Sequence, residues 1–344
     1  MKKIEFGMLP TMIGSVPYTD AQKAMLQVIK YLPQLSAWPQ LPQRNYRESM
    51  VAQFSQGFPG LILNNEGDAS ILEIPFAAQL QKLYEDHLSN NTDDYALGSD
   101  YAIGLQTYLQ AKFLGSLVAK GQIVGPLTFS LSVKDENGRA ILYDETKKEA
   151  ACLFLRLKAL WQERVLLRQS PNTMIFLDEP ALASFGSAYL NVSEETVAAM
   201  LGKTLDGLQG YKGIHVCGGT NWEILLKMPQ VDVINFDAYK YAYTLQVYQD
   251  QLKIYWQNGK TIAWGIVPTD EKDLKEETVH SLKDRLEENI AYYTRAKDSP
   301  SFKEIVAQSL LTPSCGLGAL SEDACDQAMQ ILAELSTIMR RKYL

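Results

Sequence analysis

Eight short apolar runs, each followed by a stretch of helical periodicity, constrain this chain more than any other feature. The runs lie at residues 9–15, 60–64, 122–125, 174–177, 213–217, 231–236, 262–266 and 309–313. Helical patterns fill the gaps, at about 20–32 behind a Thr19–Asp20 cap, then 47–53, 75–88, 99–120, 145–168, 194–208, 222–227, 244–257 and 276–296. A last helix is expected over 322–341. Strands alternating with helices predict a parallel sheet with helices packed over it. Eight such units fit an α/β chain folded as a (β/α)8 TIM barrel, one domain spanning residues 1–344. An open doubly wound sheet is the competing arrangement. No Pro/Gly/Ser linker, low-complexity tract or short repeat divides the sequence.

Charge and composition narrow the partners. The formal net charge is -7 with no basic stripe, which argues against nucleic acid. No apolar run reaches the ~20 residues of a membrane span, and the start, Met1-Lys2-Lys3-Ile4-Glu5, has no signal-type apolar stretch. A cytoplasmic protein is expected, acting on a small molecule. In a reducing compartment the four cysteines are not a disulfide framework. Cys152 and Cys325 fall in helical patterns and are expected to pack. Cys217 and Cys315 follow strand runs.

In a barrel of this kind the chemistry gathers at the C-terminal ends of the strands. Those ends carry Ser15, Glu66, Gly125-Pro126, Asp178-Glu179, His215 with Cys217, Asp237, residues 268–270 and Cys315. Alternate residues of a strand face one side, so His215 and Cys217 point together. A His-x-Cys pair alone more often belongs to a core. Three strand ends that each offer a ligand argue instead for a metal. Imidazole and thiol donors suit zinc, with Asp237 completing the set and Glu66 a distant substitute.

At these residues the chain resembles the catalytic C-terminal domain of cobalamin-independent methionine synthase, within the uroporphyrinogen decarboxylase/methionine synthase-like superfamily. The matching motifs are Leu9-Pro10-Thr11-Met12-Ile13-Gly14-Ser15-Val16-Pro17, Gly125-Pro126-Leu127-Thr128, Phe176-Leu177-Asp178-Glu179-Pro180-Ala181-Leu182, His215-Val216-Cys217 and Cys315-Gly316-Leu317. They follow the family's order along nearly the whole chain. The resemblance implies a TIM barrel, Zn(2+) that binds the homocysteine thiol, and zinc ligands at His215, Cys217 and Cys315. Asp237 stands where the family has a glutamate ligand. The family's homocysteine contacts match Ile13, Ser15 and Asp178, with Glu179 beside it, and a further glutamate contact aligns roughly with Gln56. The family's N-terminal barrel has no counterpart here, so a single-domain form is expected.

Two departures bear on the methyl donor. The family's histidine after the seventh strand, which protonates the leaving nitrogen of methyltetrahydrofolate, is absent from Gly265-Ile266-Val267-Pro268-Thr269-Asp270. The family's pterin-side tryptophan also has no equivalent near Ser132. An amine leaves poorly without a general acid, whereas a corrinoid gives up its methyl without a proton. The expected activity is therefore zinc-dependent methyl transfer to a thiol, from methylcobalamin or a methylated corrinoid protein. Two other readings compete. One is a folate-dependent enzyme with Asp270 as its acid. The other is a non-catalytic corrinoid- or metal-binding accessory protein. A decarboxylase on this barrel would leave the two thiols unexplained.

Overall fold

The structure is a computed structural model that describes residues 4–111, 115–188, 190–295 and 298–344. Ten strands occur among these residues: β1 (Leu9–Pro10), β2 (Leu35–Ala37), β3 (Leu61–Leu63), β4 (Ala69–Ile71), β5 (Val118–Val124), β6 (Thr173–Asp178), β7 (Tyr211–Val216), β8 (Val233–Phe236), β9 (Thr261–Val267) and β10 (Ser309–Pro313). Eight form one sheet in the order β1-β10-β9-β8-β7-β6-β5-β2, parallel throughout. The ring closes where the chain beyond β1 meets the chain beyond β2. There Gln40 N donates to Gly14 O and Val16 N to Gln40 O, both at 2.9 Å, in a parallel bridge between Ser15 and Gln40. The architecture is the expected (β/α)8 barrel.

Helices cover the outside. Their starts carry the side-chain caps that satisfy free N–H groups. Asp20 accepts from Gln22 and Lys23, Asp144 from Lys147, Ser193 from Thr196, and Ser321 from Ala324. Cys152 and Cys325 are buried in helix faces, as packing residues would be. No helix among the described residues is long and apolar enough to cross a membrane.

The second barrel strand is not at 60–64. Leu61–Leu63 pairs antiparallel with Ala69–Ile71, a hairpin outside the barrel. Glu66 sits exposed in its turn, away from any strand end of the barrel. The barrel uses Leu35–Ala37 instead, three buried residues between Pro33 and Pro39. So short a strand, flanked by prolines, shows no periodicity. The expected helix over 99–120 also ends early. It covers Ile103–Gln110, and β5 begins at Val118; residues 112–114 of that expectation lie outside the described residues. The helix expected over 276–296 covers Val279–Tyr293, started by a Thr278 capping box, and a separate short helix, Glu271–Glu276, precedes it; residue 296 lies outside the described residues.

Strand parity sorts the side chains between the two sides of the barrel wall. Phe6, Leu9, Leu35, Val118, Met174, Phe176, Val233, Ala263 and Leu310 pack together as an interior plug. Counting on by twos along the same strands leads to Lys120 and Gln122, Asp178, Asn235 and Asp237, and Thr312. His215 and Cys217 continue from Tyr211, which packs against the plug. The polar residues thus stand above the apolar plug, at the strand C-termini.

Candidate metal centre

His215, Cys217 and Cys315 meet at the top of this interior. Their ligand atoms lie within 4.8 Å of one another, a group able to hold a metal ion. His215 and Cys217 arrive on β7 with the shared parity that their spacing implies. Cys315 comes from β10, where the register with β9 slips between Thr312 and Pro313 and re-aims the chain. Its Sγ lies 3.8 Å from His215 Nε2. A Cβ on Gly316 would overlap Ser15 Oγ, so glycine lets the loop carrying Cys315 lie against the β1 exit without turning the Ser15 hydroxyl aside.

His215 is buried while both sulfurs are half-buried. The electrostatics tie the three together. Burial alone would favour a neutral His215 ring, but Cys315 and Asp178 beside it raise its pKa above the usual imidazole value. The Cys217 thiol, hydrogen-bonded to Cys315, helps hold the latter's pKa down to about 4, with further help from His215. Cys217 is pushed up in turn, by that same contact and by burial. Without a cation the pair carries one negative charge far more readily than two. A cation is what permits both to be thiolates.

A cavity of about 360 Å³ opens over this group. Ile13, Ser15, Asp178 and Glu48 line it together with His215, Cys217 and Cys315. Two of its carboxylates are only partly satisfied. Asp178 Oδ1 is buried without a hydrogen-bond partner, and burial raises the group's pKa to about 6 against the pull of His215 and Lys120. Glu48 is 1% exposed; Arg44 binds its Oε1 at 2.6 Å while Oε2 has no partner. Burial raises the Glu48 pKa too, with Arg44 opposing. Two orphaned carboxylate oxygens at one cavity are costly unless a cationic group completes them.

The other expected residues fall elsewhere. Gln56 lines a separate cavity with Tyr46, Arg47 and Tyr101, and its Oε1 accepts the Gly98 N–H at 3.1 Å. Glu48, in the short 3-10 helix Tyr46–Glu48, lines the main cavity, although no sequence motif marks it. Glu179 is fully buried but follows Asp178 by one residue and so faces the other side of the wall. Its oxygens accept from Leu127 N (2.9 Å), Thr128 N (2.8 Å) and Thr128 Oγ1 (2.6 Å), clamping the start of the helix Pro126–Ser132. Asp237 is buried, with its pKa raised to about 6 chiefly by burial, but its Oδ1 caps a short helix through Lys240 N, and it stands outside the three-ligand group. Asp270 is exposed and caps the helix Glu271–Glu276; it does not line the cavity.

Beneath the cavity lies a lysine that the expected helix over 99–120 had concealed. Lys120 is wholly buried in β5. Its Nζ donates to Ile13 O at 2.7 Å and to Gln122 Oε1 at 3.3 Å, and sits 4.4 Å from the centre of the Phe176 ring. Burial brings its pKa down to about 7, with Asp178 opposing. An unfolded lysine titrates near 10.4, so between these values the unfolded chain holds the extra proton. Lys120 therefore adds stability that is complete above about pH 10 and is lost as the pH falls through about 7. Urea unfolding of wild type and Lys120→Met between about pH 7.5 and 9.5 checks this. The wild-type free energy is expected to climb more steeply, by up to ~1.4 kcal/mol per pH unit. Parallel slopes would mean that Lys120 stays charged.

No family model matches this sequence, and no curated protein matches it either. Solved structures do match, over nearly the whole length. A B12-independent methionine synthase from Shewanella sp. W3-18-1, solved with selenomethionine, aligns over 97% of this chain and 98% of its own, at 13% identity and a TM-score of 0.59. A putative vitamin-B12-independent methionine synthase from Listeria monocytogenes aligns over 96% and 98%, at 14% identity and a TM-score of 0.57. A methyltransferase from Methanosarcina mazei aligns over 97% and 94%, at 13% identity and a TM-score of 0.54. At such identities the likeness is one of architecture. With its eight parallel strands closed into a ring, this chain has the fold of the B12-independent methionine synthase-like proteins.

Proposed function

We propose that this protein is a zinc-dependent methyltransferase whose acceptor is the thiol of a small amino acid, homocysteine before others. The observation that carries the reading is the convergence of one imidazole and two thiols under a cavity that also holds two incompletely paired carboxylates. The donor set fits zinc, which takes nitrogen and sulfur ligands and in catalytic sites keeps a position open for substrate. His215, Cys217 and Cys315 would hold the ion, and the cavity side is left for the acceptor sulfur. Bound there, zinc would supply Lewis acidity, which lowers the pKa of a coordinated thiol toward neutral.

The chain's own groups do the rest. Asp178 and Glu48 present carboxylate oxygens to the cavity and suit an ammonium, which distinguishes an amino-acid thiol from a plain one. Lys120 draws the Ile13 carbonyl inward and, when protonated below about pH 7, places positive charge near Asp178, within a site otherwise rich in anions.

The donor reading rests on the groups that line the cavity among the described residues. His215 is the histidine that lines it, and all five tryptophans are buried in cores, at most 7% exposed. With Asp270 turned to a helix cap, the lining among the described residues holds no histidine besides His215, which this reading gives to the metal, and its carboxyl groups, Asp178 and Glu48, are assigned to the acceptor's ammonium. A methylated corrinoid, free or carried by a partner protein, needs no acid. Zinc-reconstituted protein offered homocysteine with methylcobalamin is expected to form methionine, and with methyltetrahydrofolate to do so roughly 10²-fold more slowly or worse, the usual worth of a general acid. Equal rates from the two donors would overturn the donor assignment. No methylated product from any of a panel of aminothiols would overturn the activity.

A further inference from the structure

We infer that Asn235 is the positioning residue that makes His215 an Nε2 ligand, a deeper statement about the metal centre that rests on the function proposed above. Asn235 lies on β8 with the inward parity of Val233 and is fully buried. Its Nδ2 donates to Ala263 O on β9 at 2.9 Å and to Thr312 Oγ1 on β10 at 2.8 Å. A backbone carbonyl can only accept, so this end of the amide must be the NH2. The oxygen end is thereby fixed, and it stands 2.5 Å from His215 Nδ1.

An amide oxygen can only accept, so Nδ1 carries a proton. The opposite tautomer would set two lone pairs against each other in a buried site. With the proton on Nδ1, the lone pair of the neutral ring is on Nε2, the atom that faces Cys315 Sγ at 3.8 Å. Three adjacent strands thus set both the tautomer and the rotation of one imidazole. Such outer partners commonly account for 10–100-fold in metal affinity.

The chain has three histidines, so a long-range proton–nitrogen NMR spectrum of protein labelled in histidine nitrogen can report on His215 directly. In metal-free wild type, at a pH high enough for a neutral ring, the proton is expected on Nδ1. After zinc loading it should remain there, with Nε2 coordinated. Asn235→Leu should give a mixture of tautomers and lose about 10–100-fold in zinc affinity by chelator competition. Asn235→Asp keeps an acceptor at the same point and should stay closer to wild type than Asn235→Leu. A proton on Nε2 in the metal-free wild type overturns the inference even if the variants fail to fold. So does Asn235→Leu binding zinc as tightly as wild type. Wild type that takes up no zinc overturns the metal reading instead.

Discussion

Serine at both position 217 and position 315 is expected to leave a folded barrel that no longer holds zinc. Wild type should retain about one zinc per chain after dialysis, and the double variant almost none. Structural zinc in small peptides is bound with about 10–16 kcal/mol through four ligands, or roughly 2.5–4 kcal/mol for each. Removing two of the three protein ligands should then weaken binding by roughly 10⁴-fold or more. Thiol methylation should fall to background with it. The fold should survive because both sulfurs are half-buried at a cavity rim rather than packed in the plug below. Oxygen for sulfur there opens little space. Metal analysis and a melting curve on the same samples settle the matter. A well-folded double variant with wild-type zinc content would end the proposed chemistry.

That His215 and Cys217 share a face is legible in the sequence for a plain physical reason. A strand's period of two fixes which side chains share a face, so His215 and Cys217 point together at the end of β7. The same rule, applied to Asp178 and Glu179, separates them. Adjacent residues cannot both face the interior, and Glu179 indeed turns outward to clamp a helix start. Lys120 was hidden for a different reason. Charged residues rarely enter a barrel core, so a lysine near an apolar stretch reads as the end of a surface helix. Its acceptors, Ile13 O and Gln122 Oε1, come from other parts of the chain or from the strand itself and leave no local pattern. The same holds for β2, whose three residues between prolines are held by pairing with β5 rather than by their own periodicity. Glu48 sits in a polar run, Gln43-Arg44-Asn45-Tyr46-Arg47-Glu48-Ser49, where the helical pattern over 47–53 begins, and a carboxylate there reads as a solvated first-turn residue. Only the closed ring shows that this turn roofs the cavity.

Asp178→Asn should separate binding of the acceptor's ammonium from handling of its thiol. The substitution keeps shape and removes charge at an oxygen that is buried, unpartnered and aimed at the cavity. A hydrogen bond to a charged group contributes about 1.5–3 kcal/mol, so kcat/KM for an aminothiol is expected to fall roughly 10–100-fold. Zinc content should not change, because Asp178 is not among the three converging ligands. The informative comparison uses a second acceptor, the same thiol without its amino group. Wild type should methylate that compound poorly, and Asp178→Asn should do so about as well as wild type. The penalty of the substitution is then confined to substrates that carry the ammonium, the result required if Asp178 binds it. An equal loss with both acceptors would place Asp178 at the sulfur and the metal instead. The unpartnered oxygen of Glu48 would then be left as the candidate for the ammonium, and Glu48→Gln would be the variant whose penalty tracks the amino group.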